Sequence, residues 1–325
     1  MTGVDGAGSV QAAERVEITD VVTRDGFQDE AVPISTEDKV RVLEGLMDAG
    51  LRSLEVTSFV HPRLVPQMAD AEAVMQALPR RPGVRLSVLV PNLKGAERAL
   101  ACRPDEIRLV VSASESHNRA NLNRSVDETL AELAAVTAFI RSHDPGLPVA
   151  AAIATTFGCP FEGKVPLGQV VRIIDTFTQM GVHRIGLADT TGMANPAQVA
   201  ATVAALRRRF PEVHFWLHLH NTRGLGLANA YAGYQAGIRS FDTSLGGIGG
   251  CPFAPGATGN VSTEDMVHMF HEMGVETGID LDRLLAEGRR LRQIVGHELE
   301  SAVQRAGKAS DLHPLEGARK ADSRA

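Results

Sequence analysis

Short apolar runs recur along the chain from Val16 onward, each followed by an amphipathic stretch, and eight such pairs can be counted. The runs are VEITDVVT (16–23), RSLEVTSF (52–59), RLSVLVP (85–91), EIRLVVSAS (106–114), PVAAAIATTF (148–157), HRIGLADT (183–190), HFWLHLH (214–220) and IRSFDTSL (238–245). Near-continuous aliphatic and β-branched runs suit strands buried on both faces, as in a parallel sheet covered by crossover helices. Helix-like segments lie between them, among them Thr36 to Ala49, Val126 to Arg141, Leu167 to Met180 and Pro196 to Phe210, several closing near a glycine. Strand then helix, eight times over, predicts a (β/α)8 barrel of the TIM type. A doubly wound sheet would alternate in the same way, but no GxGxxG follows the first run and no phosphate-binding P-loop occurs.

After the eighth pair, Asp280 to Leu299 predicts one more helix, followed by a polar tail. The expected organisation is a disordered N-terminal arm over residues 1–15, a catalytic barrel with a C-terminal helical extension over 16–305, and a flexible tail over 306–325.

If the chain is a barrel, its chemistry belongs at the C-terminal ends of the strands. Polar residues gather there. The first run leads to Arg24, Asp25 and Gln28, the second carries Glu55 and Ser58, and the third leads to Asn92. The fourth leads to Ser114 and Glu115, the sixth to Asp189, and the seventh to His218, His220 and Asn221. On a strand, residues two apart share a face, so the imidazoles of His218 and His220 can both face the barrel mouth, with α-carbons about 7 Å apart. That arrangement can bind one metal; the alternative is that one imidazole turns outward as a satisfied core residue. Asp25 could add a hard oxygen and Asn260 an amide oxygen, a mixed set better matched to octahedral Mg2+ or Mn2+ than to a closed zinc site.

The eighth run opens into GGIGGCPFAPGATGN (246–260), where one cysteine sits among six glycines. A buried inert thiol is the usual state of a free cysteine, but so many glycines argue against a packed core position for Cys251. Cys102 and Cys159, near a helix end and in a turn, carry no such signal. The other nine histidines show no pairing pattern.

Composition narrows the field further. The chain has 325 residues, 44% of them hydrophobic, enough for a large core, and a net charge of −6 that argues against general nucleic-acid or anionic-membrane binding. No apolar run reaches membrane-spanning length, and the N-terminus lacks a signal-peptide pattern. Three scattered cysteines fit a reducing compartment, so a cytoplasmic location is expected.

Together these motifs resemble one family. RDGFQDE (24–30), EVTSFVHPRLVPQMAD (55–70), LVPNLKG (89–95), SASESHNRANLNRS (112–125), FGCPFEG (157–163), ADTTG (188–192), HLHN (218–221) and GGIGGCPFAPGATGNVSTED (246–265) are similar, in order, to the 3-hydroxy-3-methylglutaryl-CoA lyases. More broadly they resemble the metal-dependent Claisen and retro-Claisen barrel enzymes that include isopropylmalate synthase. The resemblance implies that Asp25, His218, His220 and Asn260 hold a divalent cation, Mg2+ or Mn2+. It implies that Arg24 binds the thioester or enolate oxygen, that Gln28, Glu55 and Glu264 order the metal surroundings, and that Asp189 handles protons near the scissile bond. Ser58 and Asn121 would reach substrate, and Cys251 would be the catalytic thiol. An acyl-CoA substrate and a homodimer are implied as well.

The chain departs from the family in places. Asn221 and Arg223 stand where an acidic residue and a tyrosine are usual, and Phe161 stands for a tyrosine. Phe161 and Arg223 are therefore expected to alter which acyl tail is held. The activity implied is cleavage of 3-hydroxy-3-methylglutaryl-CoA to acetyl-CoA and acetoacetate, as in leucine degradation. The alternatives are the same cleavage of a related thioester, such as citramalyl-CoA or a longer 3-substituted hydroxyglutaryl-CoA, and a catalytically silent CoA-binding or assembly protein.

Overall fold

A computed structural model describes residues 14–250 and 259–312. Eight strands close into a barrel in sequence order: β1 (Glu17–Asp20), β2 (Ser53–Ser58), β3 (Arg85–Leu89), β4 (Glu106–Ser112), β5 (Val149–Ala154), β6 (Arg184–Asp189), β7 (His214–Leu219) and β8 (Ser240–Thr243). Neighbours pair in parallel throughout, and β1 closes the ring against β8 through the register Glu17 to Ser240. Each strand lies inside one of the eight apolar runs, and the (β/α)8 expectation holds.

Local sequence sets the helix starts. Ser35 and Asn195 cap the helices Thr36–Asp48 and Pro196–Arg209 by accepting from the backbone N–H three residues on. Ser125 and Glu128 form a reciprocal capping box at Val126–His143. The expected C-terminal helix is shorter than the pattern implied. It runs Leu281–Val295 and stops at Gly296, whose φ of 77° suits glycine, before a separate turn of helix at Ala302–Ala306. Among the described residues, no helix is long and apolar enough to cross a membrane. Glu14 and Arg15, at the inner end of the N-terminal arm, pair with Glu276, while residues 1–13 and 313–325 lie outside the described residues.

The first strand ends earlier than its apolar run. The Asp20 carboxylate accepts from Val22 N at 2.8 Å, the Val21 carbonyl accepts from Asp25 N at 2.8 Å, and the chain winds into one π-helical turn over Val22–Gly26. That turn delivers Arg24 and Asp25 to the barrel mouth. Burial pushes the Asp20 carboxyl up to about 7, against the hydrogen bonds it accepts from Thr263 and Val22. The folded protein therefore holds this proton between pH 3.8 and about 7, where an unfolded chain releases it, and stability falls as pH rises through that window. Asp20→Asn should become increasingly stabilising relative to the parent across it, by of order 1 kcal/mol per pH unit. Urea melts at several pH values test this, and a pH-independent difference would reject it.

The interior is not the usual stack of branched apolar side chains. At its N-terminal end Glu17 accepts from Arg85 at 2.7 Å and from Arg184 at 3.1 Å, and Glu106 accepts from Arg108 Nε at 3.2 Å. Above this ionic layer lies Trp216, the chain's single tryptophan. Its indole occupies space that exists because residue 186 is glycine: a Cβ there would stand 2.4 Å from the ring.

Candidate active site and metal centre

Strand alternation brings the two imidazoles of β7 to the same side. His218 Nε2 and His220 Nε2 lie 3.1 Å apart, and each lies 3.7 Å from Asp25 Oδ2. All three residues are buried at the C-terminal mouth, and one donor atom from each falls within 4.8 Å of the others. Asn260 completes the group. Its backbone bridges His220, its Nδ2 donates to Asp25 Oδ2 at 2.8 Å, and its Oδ1 is buried without a hydrogen-bond partner among the described residues. Two imidazole nitrogens, a carboxylate and a buried amide oxygen fit a divalent cation well.

Glycines make this approach possible. Gly259 has φ +66°, and a Cβ there would stand 2.2 Å from the carbonyl oxygens of Gly247 and Gly249. Gly249, at φ +104°, passes so close that a Cβ would stand 2.7 Å from Asn260 Nδ2. The two ends of the glycine loop thus pinch together beneath Asn260. Residues 251–258, and with them Cys251, lie outside the described residues.

Arg24 donates to Asp25 and, at 2.8 Å, to Glu55 Oε2. Burial opposes the charge on Asp25, but the Arg24 guanidinium and then the two histidines hold its carboxyl down at about 2. Glu55 also faces Arg108 Nη1 at 3.5 Å. A cavity of about 120 Å³ opens on this cluster. Gln28, Asn121 and Gly250 contribute to its wall, and Leu89, Val110, Ala152, Ala154 and Ala188 form an apolar side.

Other expected site residues are placed elsewhere. Asp189 is one of them. Ala188 and Thr190 line the cavity, so alternation turns Asp189 the other way, where its carboxylate accepts from Met193 N at 2.8 Å and Ala194 N at 3.1 Å. Burial raises it to about 6. It braces the loop after β6 and does not face the cavity. Glu264 likewise sits at the root of the glycine loop, accepting from Gly246 N at 2.9 Å, Ser262 Oγ at 2.7 Å and Gln304 Nε2 at 3.2 Å. Ser58 is buried and accepts from Val60 N at 3.3 Å. Arg223 donates to the carbonyls of Thr191 and Gly192 at 2.8 and 3.1 Å. Phe161 is exposed on the rim, 6.4 Å from the His117 ring. None of these five side chains is in the cavity wall.

Four residues passed over in the sequence are drawn in: Arg108 and Asp242, which line the cavity, Trp216 beneath them, and His117, on the wall with Nδ1 2.7 Å from Ser112 Oγ. A signal existed for two of them. A charged residue inside a strand run that is otherwise apolar must find partners in the barrel interior, and Arg108 and Asp242 are such residues.

If Arg24 faces a developing oxyanion, as the family resemblance implies, Arg24→Gln should lower kcat about 10²- to 10³-fold, the cost of losing one such fixed charge. Stability should also fall, because Asp25 and Glu55 lose a buried partner, by roughly 3–5 kcal/mol. Steady-state kinetics and thermal melts read the two effects separately; an unchanged kcat would remove Arg24 from the chemistry.

The HMGL-like family model matches residues 15–290. The chain is 45% identical to the (R)-citramalyl-CoA lyase of Chloroflexus aurantiacus over 93% of this chain and 96% of that protein. It is 42% identical to the hydroxymethylglutaryl-CoA lyase YngG of Bacillus subtilis over 91% of this chain and 99% of that protein. An HMG-CoA lyase from Acinetobacter baumannii, solved with coenzyme A and 3-methylmalate, superposes with a TM-score of 0.90 at 40% identity, covering 94% of this chain and all of the other. Barrel, site and near-full-length kinship agree: the chain belongs to the HMGL-like family and is a carbon–carbon lyase of the hydroxymethylglutaryl-CoA lyase type.

Proposed function

We propose that this protein cleaves a 3-hydroxyacyl-CoA between C2 and C3 with a divalent cation, giving acetyl-CoA and a keto product. 3-Hydroxy-3-methylglutaryl-CoA is the first substrate to test. The observation that carries the proposal is the convergence of Asp25, His218 and His220 on one point of the cavity, with Asn260 beside them.

When bound by these residues, Mg2+ or Mn2+ would acidify the C3 hydroxyl and hold the substrate. The protein's own groups do the rest. Loss of the hydroxyl proton turns C3 into a ketone as the C2–C3 bond breaks, and the electron pair moves into the acetyl-CoA enolate. Arg24, permanently cationic, neutralises the enolate oxygen. With Asp189 turned away, a histidine takes over as proton acceptor in this scheme. His117 lines the cavity, and burial lowers its pKa to about 4, which keeps it neutral. Gln28 and Asn121 contact substrate from the wall. Cys251 follows Gly250, which is itself on the cavity wall, and supplies the proton that C2 takes up.

A second substrate is favoured by a specific observation: the relative at 45% identity is named for (R)-citramalyl-CoA. The decisive experiment incubates the protein with Mn2+ or Mg2+ and a panel of 3-hydroxyacyl-CoA thioesters, identifying products by mass. Acetyl-CoA with acetoacetate marks the first substrate, and acetyl-CoA with pyruvate marks citramalyl-CoA. Comparison of kcat/KM ranks them. If no thioester yields acetyl-CoA, the proposed cleavage of a 3-hydroxyacyl-CoA fails.

A further inference from the structure

Asp242 lies on β8 directly beside His218 on β7, its partner in the strand register. Its carboxylate is 4% exposed and is surrounded by nitrogen. Arg108 Nη1 reaches across the barrel to both oxygens at 3.1 Å, Trp216 Nε1 donates to Oδ2 at 2.8 Å, and His218 Nδ1 faces Oδ2 at 3.3 Å. The guanidinium and the indole can only donate, and an ionised carboxylate can only accept.

The indole is locked in place. Arg108 stacks on one ring contact at 5.1 Å and Arg184 on another at 5.3 Å, and Gly186 leaves the room the ring occupies. Its N–H is thereby aimed at Asp242. With Arg108 and Trp216 holding the carboxylate as an acceptor, the hydrogen between Asp242 and His218 must sit on the imidazole.

We infer that Asp242, held by Arg108 and Trp216, is a positioning residue that keeps His218 in the Nδ1–H tautomer, with the Nε2 lone pair directed at the cation site. His220 is built differently: its Nδ1 is buried with no hydrogen-bond partner among the described residues. Its tautomer is left free to change. In the metal-free protein His220 donates from Nε2 to His218 Nε2 across the 3.1 Å gap, and it gives up that proton position when a cation arrives. One histidine is thus preset and the other adapts, a division made by the outer partners of the two rings.

The inference rests on the proposed cation site, but its test separates the two. Long-range proton–nitrogen NMR on the metal-free full chain reads the His218 tautomer, and Mn2+ titration followed by electron paramagnetic resonance reads affinity. The wild type should show Nδ1–H at His218. In Asp242→Asn the amide must turn its NH2 toward either Arg108 or the Trp216 and His218 side. Trp216 and His218 both address Oδ2 while Arg108 Nη1 reaches either oxygen, so the amide oxygen takes the Oδ2 side, the Nδ1–H tautomer is kept, and the ring loses the carboxylate charge that raised its strength as a ligand.

Asp242→Asn should therefore bind Mn2+ roughly 10- to 100-fold more weakly. Overturning results are a wild-type His218 protonated at Nε2, or a folded Asp242→Asn that binds Mn2+ as tightly as its parent. If Asp242→Asn does not fold, the wild-type tautomer decides alone. If the wild type binds no Mn2+, the metal reading falls while the tautomer measurement still judges Asp242.

Discussion

Replacing His220 with alanine is expected to abolish Mn2+ binding and thioester cleavage together. The reasoning is geometric. His220 Nε2 stands 3.1 Å from His218 Nε2 and 3.7 Å from Asp25 Oδ2, so its loss removes one of two nitrogens from a set that has no spare donor among the described residues. A cation held by these residues would supply several kcal/mol of charge stabilisation to the hydroxyl that loses its proton. That corresponds to about 10³-fold or more in rate. Chelation of the wild type should reproduce the loss, and added Mn2+ or Mg2+ should reverse it for the wild type but not for His220→Ala. The expected readouts are cleavage rate, Mn2+ affinity and a thermal melt showing that the variant is folded. Full activity in a chelated and dialysed wild type would end the metal-dependent proposal.

Cys251→Ala is expected to separate chemistry from binding. A thiol with an ordinary pKa of about 8.5 is mostly protonated at neutral pH and can donate to carbon. Without that donor the enolate recondenses instead of leaving as acetyl-CoA, and kcat should fall about 10²- to 10⁴-fold, the usual span for a positioned general acid. Mn2+ affinity should be unchanged, because the proposed cation set is Asp25, His218, His220 and Asn260. A Cys251→Ala protein that turns over like its parent would mean that water or another side chain delivers the proton. A variant that loses Mn2+ would place the thiol in the cation site instead.

The two predictions draw on residues of different legibility. His218 and His220 could be read as a pair because period-two spacing on a strand does not depend on the rest of the fold. Asp25 and Asn260 are 235 residues apart. Their meeting depends on barrel closure between β1 and β8, and on Gly249 and Gly259 letting two backbones pass closely. Polar residues on the rim looked alike in the sequence but have different tasks. Asn92 and Ser114 accept from Gly95 N and His117 N as helix caps, at 3.0 and 3.2 Å, while Gln28 and Asn121 line the cavity. Asp189 sits between Ala188 and Thr190, which line the cavity, while its own carboxylate accepts from Met193 N and Ala194 N.

The sequence by itself determined the eightfold alternation, the barrel, the rim on which chemistry gathers and the kinship of its motifs, because strand and helix periodicity and capping are set by residues within a few positions of one another. Only the tertiary structure brought Arg108, Trp216 and Asp242 together and tied the Asp189 carboxylate to the loop after β6. These follow from side chains meeting across the barrel interior, where β4 reaches β8 through a guanidinium and a carboxylate 134 residues apart. Such contacts are fixed by closure and packing, which local pattern does not encode.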